Sequence, residues 1–354
     1  MKSLLTVEQF IKNREQYLLV DVRSPGEFSL AHIPGAVNIP LFSDEERALV
    51  GTTYWKEGTD RAKLVGLSLV GPRLPGMVEE MLESAAGRDI VLYCWRGGMR
   101  SGSVFSVMEA LGYPAWQLVG GYKAFRRHVV RYLKSAKIKM PVFVLNGLTG
   151  VGKTLVIKEL QRKGAPTIDL ERLANHRGSA FGGIGLGKPR TQKDFEAHLF
   201  FALKEIENAP YVLLEGEGKK VGPVVLPDFL YSAMHQGEHI LLEADLEIRV
   251  DRIIKEYHGI DESVEPLADA ALMLQKKLGQ KKCSALATQI RQGELRPAAM
   301  ALCSEYYDQY YRDSQQNKGH YLAVVDVNDI QRGAAVILAV VTEYLQKGES
   351  SGSI

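Results

Sequence analysis

Apolar residues in this chain recur as short runs, and each run ends in a loop rich in glycine and charged residues. Three such runs stand at Tyr17–Asp21, Ile90–Cys94 and Met140–Asn146. Runs of this length predict buried strands, whereas apolar positions three or four residues apart, as they occur after Ser101, predict a helix. Strands that alternate with helices are typical of an α/β fold with a mostly parallel sheet. Later candidate strands lie at residues 211–215, 238–243 and 320–325, and residues 262–312 have a helical pattern.

A basic connector divides this pattern into two halves. Residues 122–139 contain seven lysines and arginines and no acidic residue, with the apolar spacing of a helix. We predict a boundary near residue 135, which gives an N-terminal domain at residues 1–134 and a C-terminal domain at residues 135–354. A length of 354 residues suits two domains of ordinary size.

Composition and charge exclude several classes of protein. The chain is 45% hydrophobic and 24% charged, which argues against a disordered or fibrous protein. A formal net charge of +2 excludes a globally basic nucleic-acid binder, but a total averages over the surface. Between Ala110 and Lys158 there are nine basic residues and no acidic ones. This window predicts a patch that binds tRNA, and a solvated basic helix is the alternative. The candidate contacts are Arg126, Arg127, Arg131 and Lys134.

Cysteine usage and hydropathy define the expected compartment. Three scattered cysteines are too few for a disulfide framework, and no cluster has the spacing of a zinc site. No metal site is therefore expected from cysteine and histidine. The N-terminus has no signal-peptide apolar region, and no run approaches the roughly 20 apolar residues of a membrane span. A reduced, cytoplasmic protein without a membrane partner is expected.

Candidate nucleophilic chemistry follows the second apolar run. Cys94 ends a predicted strand, and Arg96, Gly97, Gly98 and Arg100 follow before a predicted helix. Backbone N–H groups of such a loop point inward and form an anion site, to which the helix N-terminus adds positive potential. These features favour the thiolate, so Cys94 is predicted to be a nucleophile beside an anion held by the four residues named. A buried, inert strand cysteine is the alternative.

Candidate phosphate chemistry follows the third apolar run. Gly147–Thr154 matches the pattern GxxxxGK[ST] between a predicted strand and a predicted helix, as a phosphate loop requires. Its diphosphate-binding residues are predicted to be Gly147, Gly150, Gly152, Lys153 and Thr154. Thr154 stands where such loops ordinarily hold Mg²⁺, so Mg²⁺ is a candidate ion. The next strand ends in Glu215 and Glu217 instead of an aspartate, which weakens an ATPase assignment.

Two further basic features adjoin the phosphate loop in the sequence. Residues 175–193 contain five glycines, four basic residues and no acid, which predicts a loop that closes over a phosphorylated ligand or an ordinary surface loop. Arg249 and Arg252 lie three residues apart on one predicted helix face. They are candidates for phosphate contacts or for salt bridges with Glu247 and Asp251.

The N-terminal half resembles the rhodanese family. The resemblance rests on Asp21–Phe28, His32–Pro40, the Cys94 loop and Val119–Phe125. It implies that Cys94 carries a chalcogen atom and that Asp21 and Arg23 are mainly structural. Two features depart from the family. Five residues separate Cys94 from Arg100, more than is usual in sulfur-transferring members and similar to related phosphatases that cradle a tetrahedral oxyanion. The 53 residues between Pro40 and Cys94 predict an insertion or lid.

A rhodanese-like parallel-sheet domain followed by a P-loop α/β domain with additional helices resembles bacterial tRNA 2-selenouridine synthases. Residues 177–182, 189–196 and 215–222 carry the resemblance in the second half. It implies a tRNA substrate with 2-thiouridine at the wobble position, geranylation of its sulfur by geranyl diphosphate, and replacement by selenium from selenophosphate. Cys94 would form an S-selanyl intermediate, and Gly147–Thr154 would bind the diphosphate. No tightly bound cofactor is expected, and an enzyme that supplies selenophosphate is an implied partner.

Other functions are compatible with the same motifs. A rhodanese sulfurtransferase fused to a regulatory P-loop NTPase would predict thiosulfate-to-cyanide transfer and strong ATP turnover. A tRNA- or nucleotide-binding regulator would need a degenerate cysteine loop, but Cys94 and Arg100 are both present. A phosphatase is suggested by loop length alone, although no acidic residue is obviously placed as its general acid.

Overall fold

A computed structural model describes residues 3–257, 264–309 and 321–351. Its contacts form two compact units, one that extends to Ser135 and includes Glu196–Phe200, and a second that holds the rest of the chain from Ala136 onwards. This division lies beside the boundary predicted near residue 135. None of the helices in the described ranges combines the length and the apolar character needed to cross a bilayer.

Unit 1 contains a parallel five-stranded sheet. Its strands are β1 (Leu4–Leu5), β2 (Tyr17–Asp21), β3 (Val37–Asn38), β4 (Asp89–Tyr93) and β5 (Ala115–Leu118). Their order is β1-β5-β4-β2-β3, with Asp21 opposite Tyr93. Because the strands are parallel, the segments that follow β2, β4 and β5 emerge at one edge. The sheet therefore brings Arg23, Cys94 and Gly120 to the same edge.

Seven helices belong to this unit. They are α1 (Val7–Lys12), α2 (Pro25–Leu30), α3 (Asp44–Glu57), α4 (Thr59–Val70), α5 (Leu74–Ala85), α6 (Met99–Ala110) and α7 (Gly121–Ser135). The long segment between Pro40 and Cys94 forms α3, α4 and α5. Buried Met77, Val78 and Met81 place α5 in the main core beneath the sheet. Within the segment predicted to be an insertion or lid, α5 is therefore a core helix and does not form a lid.

Unit 2 contains a second parallel sheet and a small hairpin. Its strands are β6 (Val142–Gly147), β7 (Thr167–Ile168), β8 (Val212–Glu215), β9 (Lys220–Val221), β10 (Val224–Val225), β11 (Glu238–Glu243) and β12 (Ala323–Asp326). The parallel order is β12-β11-β6-β8-β7, and β9 pairs with β10 as a hairpin. The α/β prediction is confirmed in both units. The later strand predictions are confirmed, with the third strand beginning at Ala323 and residue 320 lying outside the described ranges.

The helices of unit 2 fall into two groups. One group covers the sheet, and the other, within residues 265–302, forms a helical subdomain. The helices are α8 (Lys153–Arg162), α9 (Leu170–Ala174), α10 (Gln192–Glu205), α11 (Asp228–Gln236), α12 (Leu246–Tyr257), α13 (Glu265–Leu272), α14 (Gln275–Leu278), α15 (Gln280–Arg291), α16 (Leu295–Leu302) and α17 (Ile330–Ser351), and Cys303–Tyr307 form a π-helical turn. Residues Glu196–Phe200 of α10 belong to unit 1. One core lies between the sheet, α8 and α17. A second core lies among α13, α15 and α16, which gives the subdomain an apolar interior.

Candidate active sites at the cysteine loop and the phosphate loop

The cysteine loop lies between the end of β4 and the start of α6. Cys94 is 4% exposed. The first turn of α7 fixes the loop, because the Tyr122 N–H donates to the Cys94 carbonyl at 3.0 Å and the Lys123 N–H to the Trp95 carbonyl at 2.9 Å. Helix N-termini have free N–H groups, and here two of them bind loop carbonyls. The helix after β5 thereby fixes the backbone around Cys94, the candidate nucleophile.

Two glycines make this close approach sterically feasible. Gly97 has φ +62°, and a Cβ there would lie 2.5 Å from the Leu118 carbonyl oxygen. Gly121 has φ +53°, and its Cβ would lie 2.1 Å from the Cys94 carbonyl oxygen. A side chain at either position would be strained in backbone and in space. Gly97 and Gly121 thus both permit the close contact between the cysteine loop and the start of α7. Their separate positions in the sequence do not predict this contact.

The side chains of Ser101 and Gln117 complete the loop. Gln117 Nε2 donates to the Gly97 carbonyl at 3.0 Å and to Ser101 Oγ at 3.0 Å, and the Ser101 hydroxyl donates to Cys94 Sγ at 3.3 Å. Sequence reasoning missed both partners. The position of Ser101, one helical turn beyond the glycines, was the available signal for the first, but Gln117 lies on another strand.

The other hydrogen-bonding groups of the cysteine loop are its backbone carbonyls and N–H groups. The carbonyls of Cys94 and Trp95 accept from α7, and those of Gly97 and Gly98 accept from Gln117 Nε2, the second at 3.2 Å. Within the described ranges, the N–H groups of Trp95–Gly98 have no protein acceptor. A concave set of free N–H groups beside a helix N-terminus binds anions. Arg96, Gly97 and Gly98 lie in the same loop as Cys94, and anion binding by their N–H groups stays a prediction.

Arg100 has a carboxylate partner that sequence reasoning missed. Its Nη1 lies 2.6 Å from Glu27 Oε2, and its Nη2 lies 3.3 Å from Glu27 Oε1. Burial alone would raise the pKa of Glu27, but the hydrogen bond and charge of Arg100 outweigh burial, so the pKa lies below its ordinary value. The ionised Glu27 therefore balances the Arg100 charge. Arg96, by contrast, is exposed and has no ion-pair partner among the described residues.

A buried ion pair between Arg23 and Asp21 packs against Tyr122, which binds the cysteine loop. Arg23 is 1% exposed and bonds Asp21 through Nε at 2.9 Å and through Nη2 at 2.6 Å. The Arg23 guanidinium also lies 4.4 Å from the ring centre of Tyr122, whose N–H binds the Cys94 carbonyl. A buried charge needs such a partner, since burial without one costs several kcal/mol. This arrangement gives Asp21 and Arg23 a structural position beneath the loop.

The phosphate loop joins β6 to α8. A Cβ at Gly147 would lie 2.8 Å from Val151 Cγ1, and one at Gly150, with φ +78°, would lie 2.8 Å from the Arg249 carbonyl oxygen. Gly152 has φ +95° and precedes Lys153 at the helix start. Glycine is required at Gly147 and Gly150 because the loop packs closely against β11 and α12, which leaves no room for a side chain. The five predicted diphosphate-binding residues therefore lie in one continuous turn.

Arg249 and Arg252 bind the phosphate loop itself. Arg249 Nε donates to the Thr149 carbonyl at 2.9 Å and its two Nη atoms bond Asp308, while Arg252 Nη1 donates to the Val151 carbonyl at 2.6 Å. The alternative of salt bridges with Glu247 and Asp251 is wrong, because Arg296 pairs with both. The two arginines hold loop carbonyls, which fixes the loop backbone before a ligand binds.

Three carboxylates surround Lys153 and Thr154. The Thr154 hydroxyl lies 2.9 Å from Glu171 Oε2 and 3.1 Å from Glu215 Oε1, and Lys153 Nζ lies 3.8 Å from Glu217 Oε1. Burial, with the charge of Glu217, raises the pKa of Glu171 to about 7. Burial, with the charge of Glu171, raises the pKa of Glu215 well above its ordinary value.

A hydroxyl carries one proton, so both Thr154 contacts are satisfied together only when one carboxyl group is protonated. The sequence singled out Glu215 and Glu217 but not Glu171, whose position on α9 carries no motif. In the described ranges, no group of three or more His, Cys, Asp or Glu side chains is placed to hold a metal ion. Mg²⁺ at Thr154 stays a prediction.

A cavity of about 550 Å³ opens beside the phosphate loop. Residues 148–155 form one wall, and the helical subdomain forms the other. The apolar lining residues include Ile253 on α12 and, on the subdomain, Leu267, Ile290, Leu295, Ala298 and Leu302. The volume is within the usual range for a small-molecule site. The cavity therefore suits a ligand with a phosphate group at one end and a hydrocarbon at the other.

The glycine-rich segment 175–193 lies at this cavity. Arg177, Gly178, Ser179 and Phe181 line it. Arg177 Nε lies 2.5 Å from Glu256 Oε1, and Arg190 Nη1 donates to the Arg172 carbonyl at 2.6 Å. Two of the four predicted cations are thus engaged within the protein. The segment borders the ligand space as expected, but its arginines hold neighbouring elements together.

Helix α7 carries an exposed basic row. Lys123, Arg127, Arg131 and Lys134 are exposed, and their spacing places them along one face of the helix. Arg126 lies on another face, partly buried, and pairs with Glu196. Three of the four predicted tRNA contacts therefore share a surface, and Lys123 joins them. Arg126 differs from the expectation because a carboxylate already neutralises it.

Comparison with known proteins agrees with this division. Residues 6–128 match the rhodanese-like domain family, and residues 140–335 match the family described as the tRNA 2-selenouridine synthase AAA domain. Both matches include the candidate nucleophile or phosphate loop of their unit. The expected fold classes of the two halves are thereby confirmed.

Named relatives point the same way. A tRNA 2-selenouridine synthase of Nitrosomonas europaea is 37% identical over 68% of this chain, which spans 63% of that protein. Those of Shewanella loihica and Pseudomonas syringae pv. syringae are 35% and 34% identical over 83% and 85% of this chain, and over 86% and 89% of their own lengths. This chain thus spans slightly less than two thirds of the Nitrosomonas relative and most of the other two. It belongs to the tRNA 2-selenouridine synthase family.

Proposed function

We propose that this protein converts 2-thiouridine at the wobble position of tRNA to 2-selenouridine in two steps, with one site in each unit. The first step transfers a geranyl group from geranyl diphosphate to the thiocarbonyl sulfur. The second replaces the geranylthio group with selenium from selenophosphate. The observation that carries the proposal is the cavity in which a phosphate loop faces an apolar wall.

A prenyl diphosphate has the two chemical parts that this cavity can accommodate. Its diphosphate would lie on the N–H groups of Gly150–Thr154, and its hydrocarbon would lie against residues such as Leu267, Ile290 and Leu302. A nucleoside triphosphate would instead place a polar base and ribose against apolar side chains. The cavity therefore favours geranyl diphosphate over ATP.

The geranyl transfer breaks an allylic C–O bond and forms a C–S bond. The electron pair of the C–O bond leaves with the diphosphate, and the uridine loses its N3 proton as the sulfur becomes alkylated. Lys153 and the loop N–H groups would stabilise the charge that develops on the departing diphosphate. Alkylation is chemically useful because a geranylthio group leaves more readily than a thiocarbonyl sulfur. The selenium can then displace it.

Selenium activation is assigned to the cysteine loop. Cys94 is the nucleophile toward selenophosphate, and its phosphoryl oxygens would lie on the N–H groups of Arg96, Gly97 and Gly98, with Arg100 beside them. The exposed cations of α7 would bind the tRNA backbone. The reaction also requires an enzyme that supplies selenophosphate.

Nucleoside mass spectrometry tests this division of labour. A thiolated tRNA is incubated with geranyl diphosphate and selenophosphate, separately and together. The wild type should form S-geranyl-2-thiouridine with the first alone and 2-selenouridine with both. Lys153→Ala should lose geranylation, whereas Cys94→Ala should keep it and lose selenation. Geranylation lost in the cysteine variant, with selenation intact, would contradict the proposal, as would robust thiosulfate-to-cyanide transfer with strong ATP turnover.

A further inference from the structure

The cysteine loop has backbone N–H groups beside Cys94 that bind no acceptor among the described residues. Loop carbonyls bind α7 and Gln117, so the N–H groups of residues 95–98 remain for an oxyanion. We propose that Cys94 attacks the phosphorus of selenophosphate, forms an S-phosphocysteine and releases the selenium as hydroselenide. This inference rests on the proposed function, because it concerns how the P–Se bond of the selenium donor in that reaction is cleaved.

The position of the selenium atom follows from the cradle. Three phosphoryl oxygens can be bound by the N–H groups and by Arg100, as an anion site of this kind requires. Selenium is then the substituent that points away from Cys94 Sγ. That is the leaving position in an in-line displacement at phosphorus. The same orientation places the selenium atom out of reach of direct attack by the sulfur.

The electron balance of the proposed route differs from that of a route in which Cys94 attacks selenium. In the proposed route an S–P bond forms, and the electron pair of the P–Se bond leaves with selenium, so no atom is oxidised or reduced. Hydroselenide then adds to C2 of the alkylated uridine and displaces geranylthiolate. Water cleaves the S–P bond and returns the thiolate and phosphate.

The S-selanyl intermediate that the family resemblance implies has a different balance. Attack of Cys94 on selenium would form an S–Se bond and leave the P–Se electron pair on phosphorus. The products would be phosphite and selenium at the oxidation level of the element. Delivery of selenide to tRNA would then need a two-electron reductant, such as a thiol. The route through phosphorus needs no such co-reactant.

Ser101 supports the second half of the proposed route. Its hydroxyl donates to Cys94 Sγ at 3.3 Å and is held by Gln117 Nε2 at 3.0 Å. When water cleaves the S–P bond, sulfur leaves with the electron pair as a thiolate. A donor fixed at the sulfur stabilises that developing charge. Ser101 is therefore a catalytic residue for hydrolysis of the S-phosphocysteine.

The two carboxylates named near the cysteine loop, Glu27 and Asp21, are both paired with arginines, so neither is placed to protonate a leaving group. Among the described residues, Glu27 is engaged with Arg100 and Asp21 with Arg23. An alkyl phosphate would need a general acid to protonate its departing alkoxide. Hydrogen selenide is a far stronger acid than an alcohol, so selenium leaves as an anion. The loop therefore favours selenophosphate over ordinary phosphate esters.

The test uses the full-length protein with selenophosphate alone. Ser101→Ala should release one equivalent of selenide in a burst and then turn over about ten-fold more slowly, since hydrogen bonds to charged groups have that magnitude. Phosphorus NMR and high-resolution intact-protein mass spectrometry should detect S-phosphocysteine in this variant. The matched control is Ser103→Ala, because Ser103 is exposed on the same helix and bonds only the Arg100 carbonyl in the described structure.

The products decide between the routes. Phosphate as the product, with a phosphorylated Cys94, supports the inference. Phosphite as the product, or the broad isotope pattern of selenium on Cys94, overturns it while leaving the proposed function intact. A wild-type protein that forms no 2-selenouridine from geranylated tRNA and selenophosphate contradicts the proposed function itself. Equal turnover of Ser101→Ala and wild type would remove Ser101 from the mechanism and overturn the role assigned to it.

Discussion

Arg100 and Glu27 form a two-point ion pair beside the cysteine loop, with Nη1–Oε2 at 2.6 Å and Nη2–Oε1 at 3.3 Å. The carboxylate holds the guanidinium in one orientation before an anion arrives. It also neutralises the positive charge that an incoming phosphoryl group would otherwise meet. Glu27 therefore orients Arg100 at the expense of some attraction for anions.

Replacement of this carboxylate should separate binding from turnover. In Glu27→Gln the Arg100 charge is no longer balanced, so inorganic phosphate should inhibit at a concentration a few-fold lower than in the wild type. Selenide release should be slower, because the guanidinium is no longer oriented. Glu46→Gln is the control, since Glu46 pairs with Arg73 at 2.8 Å in the same unit. Weaker inhibition by phosphate in Glu27→Gln would contradict this account.

The two loop glycines should respond differently to a methyl group. In Gly97→Ala the new Cβ would lie 2.5 Å from the Leu118 carbonyl oxygen at φ +62°, so unit 1 should lose about 1–3 kcal/mol of free energy of unfolding. Gly98→Ala has open space within 4 Å and should be nearly neutral for stability. Urea unfolding of the two variants measures the difference. Equal stability would argue against the close contact between the loop and β5.

Stability should depend on pH through the buried glutamates. Burial raises the pKa of Glu171 to about 7 and raises that of Glu215, so both bind protons more tightly in the folded than in the unfolded chain. Their contribution is present at low pH and is lost as the pH rises through the folded-state values. The free energy of unfolding should therefore fall between about pH 5 and about pH 8. Glu171→Gln should reduce this fall, while exposed Glu205→Gln should not.

Filling the apolar cavity should change ligand preference. Ala298 is 2% exposed and lines the cavity on α16. In Ala298→Phe, affinity for geranyl diphosphate should fall about ten-fold or more, because the larger ring occupies hydrocarbon space. Affinity for inorganic diphosphate should stay unchanged, which isothermal titration can measure. Ala339→Phe, at an exposed position of α17, controls for the substitution itself. Equal loss for both ligands would place the hydrocarbon elsewhere.

Two adjacent arginines of α7 offer a matched test of the tRNA surface. Arg127 is exposed in the basic row, whereas Arg126 is partly buried and paired with Glu196. Arg127→Gln should weaken tRNA binding and lower the salt-dependence slope by about one. Arg126→Gln removes the same charge but should leave the slope unchanged. Filter binding across a range of salt concentrations compares them. A slope that changes only in Arg126→Gln would move the binding surface to another face.

Much of the fold could be predicted because its signals are local. The apolar runs before Cys94 and Gly147 are continuous in the chain, and both became central strands. The phosphate-loop pattern needs only eight consecutive residues between a strand and a helix. Predictions about side-chain partners were less successful. Arg126, Arg249 and Arg252 were considered as phosphate or RNA ligands or surface salt bridges, and each instead binds a distant part of the chain.

The sequence alone determined the cysteine loop, the phosphate loop and the alternation of strands and helices, because chain connectivity places consecutive residues in one turn. Only the tertiary structure decided which groups meet there. Glu27 and Arg100 are 73 positions apart, and Arg249 and Thr149 are 100 apart. The apolar wall of the cavity comes from helices that follow β11 in the chain, far from the phosphate loop in the sequence. Periodicity identifies which face of a helix is apolar, but the packing of distant elements determines what that face contacts.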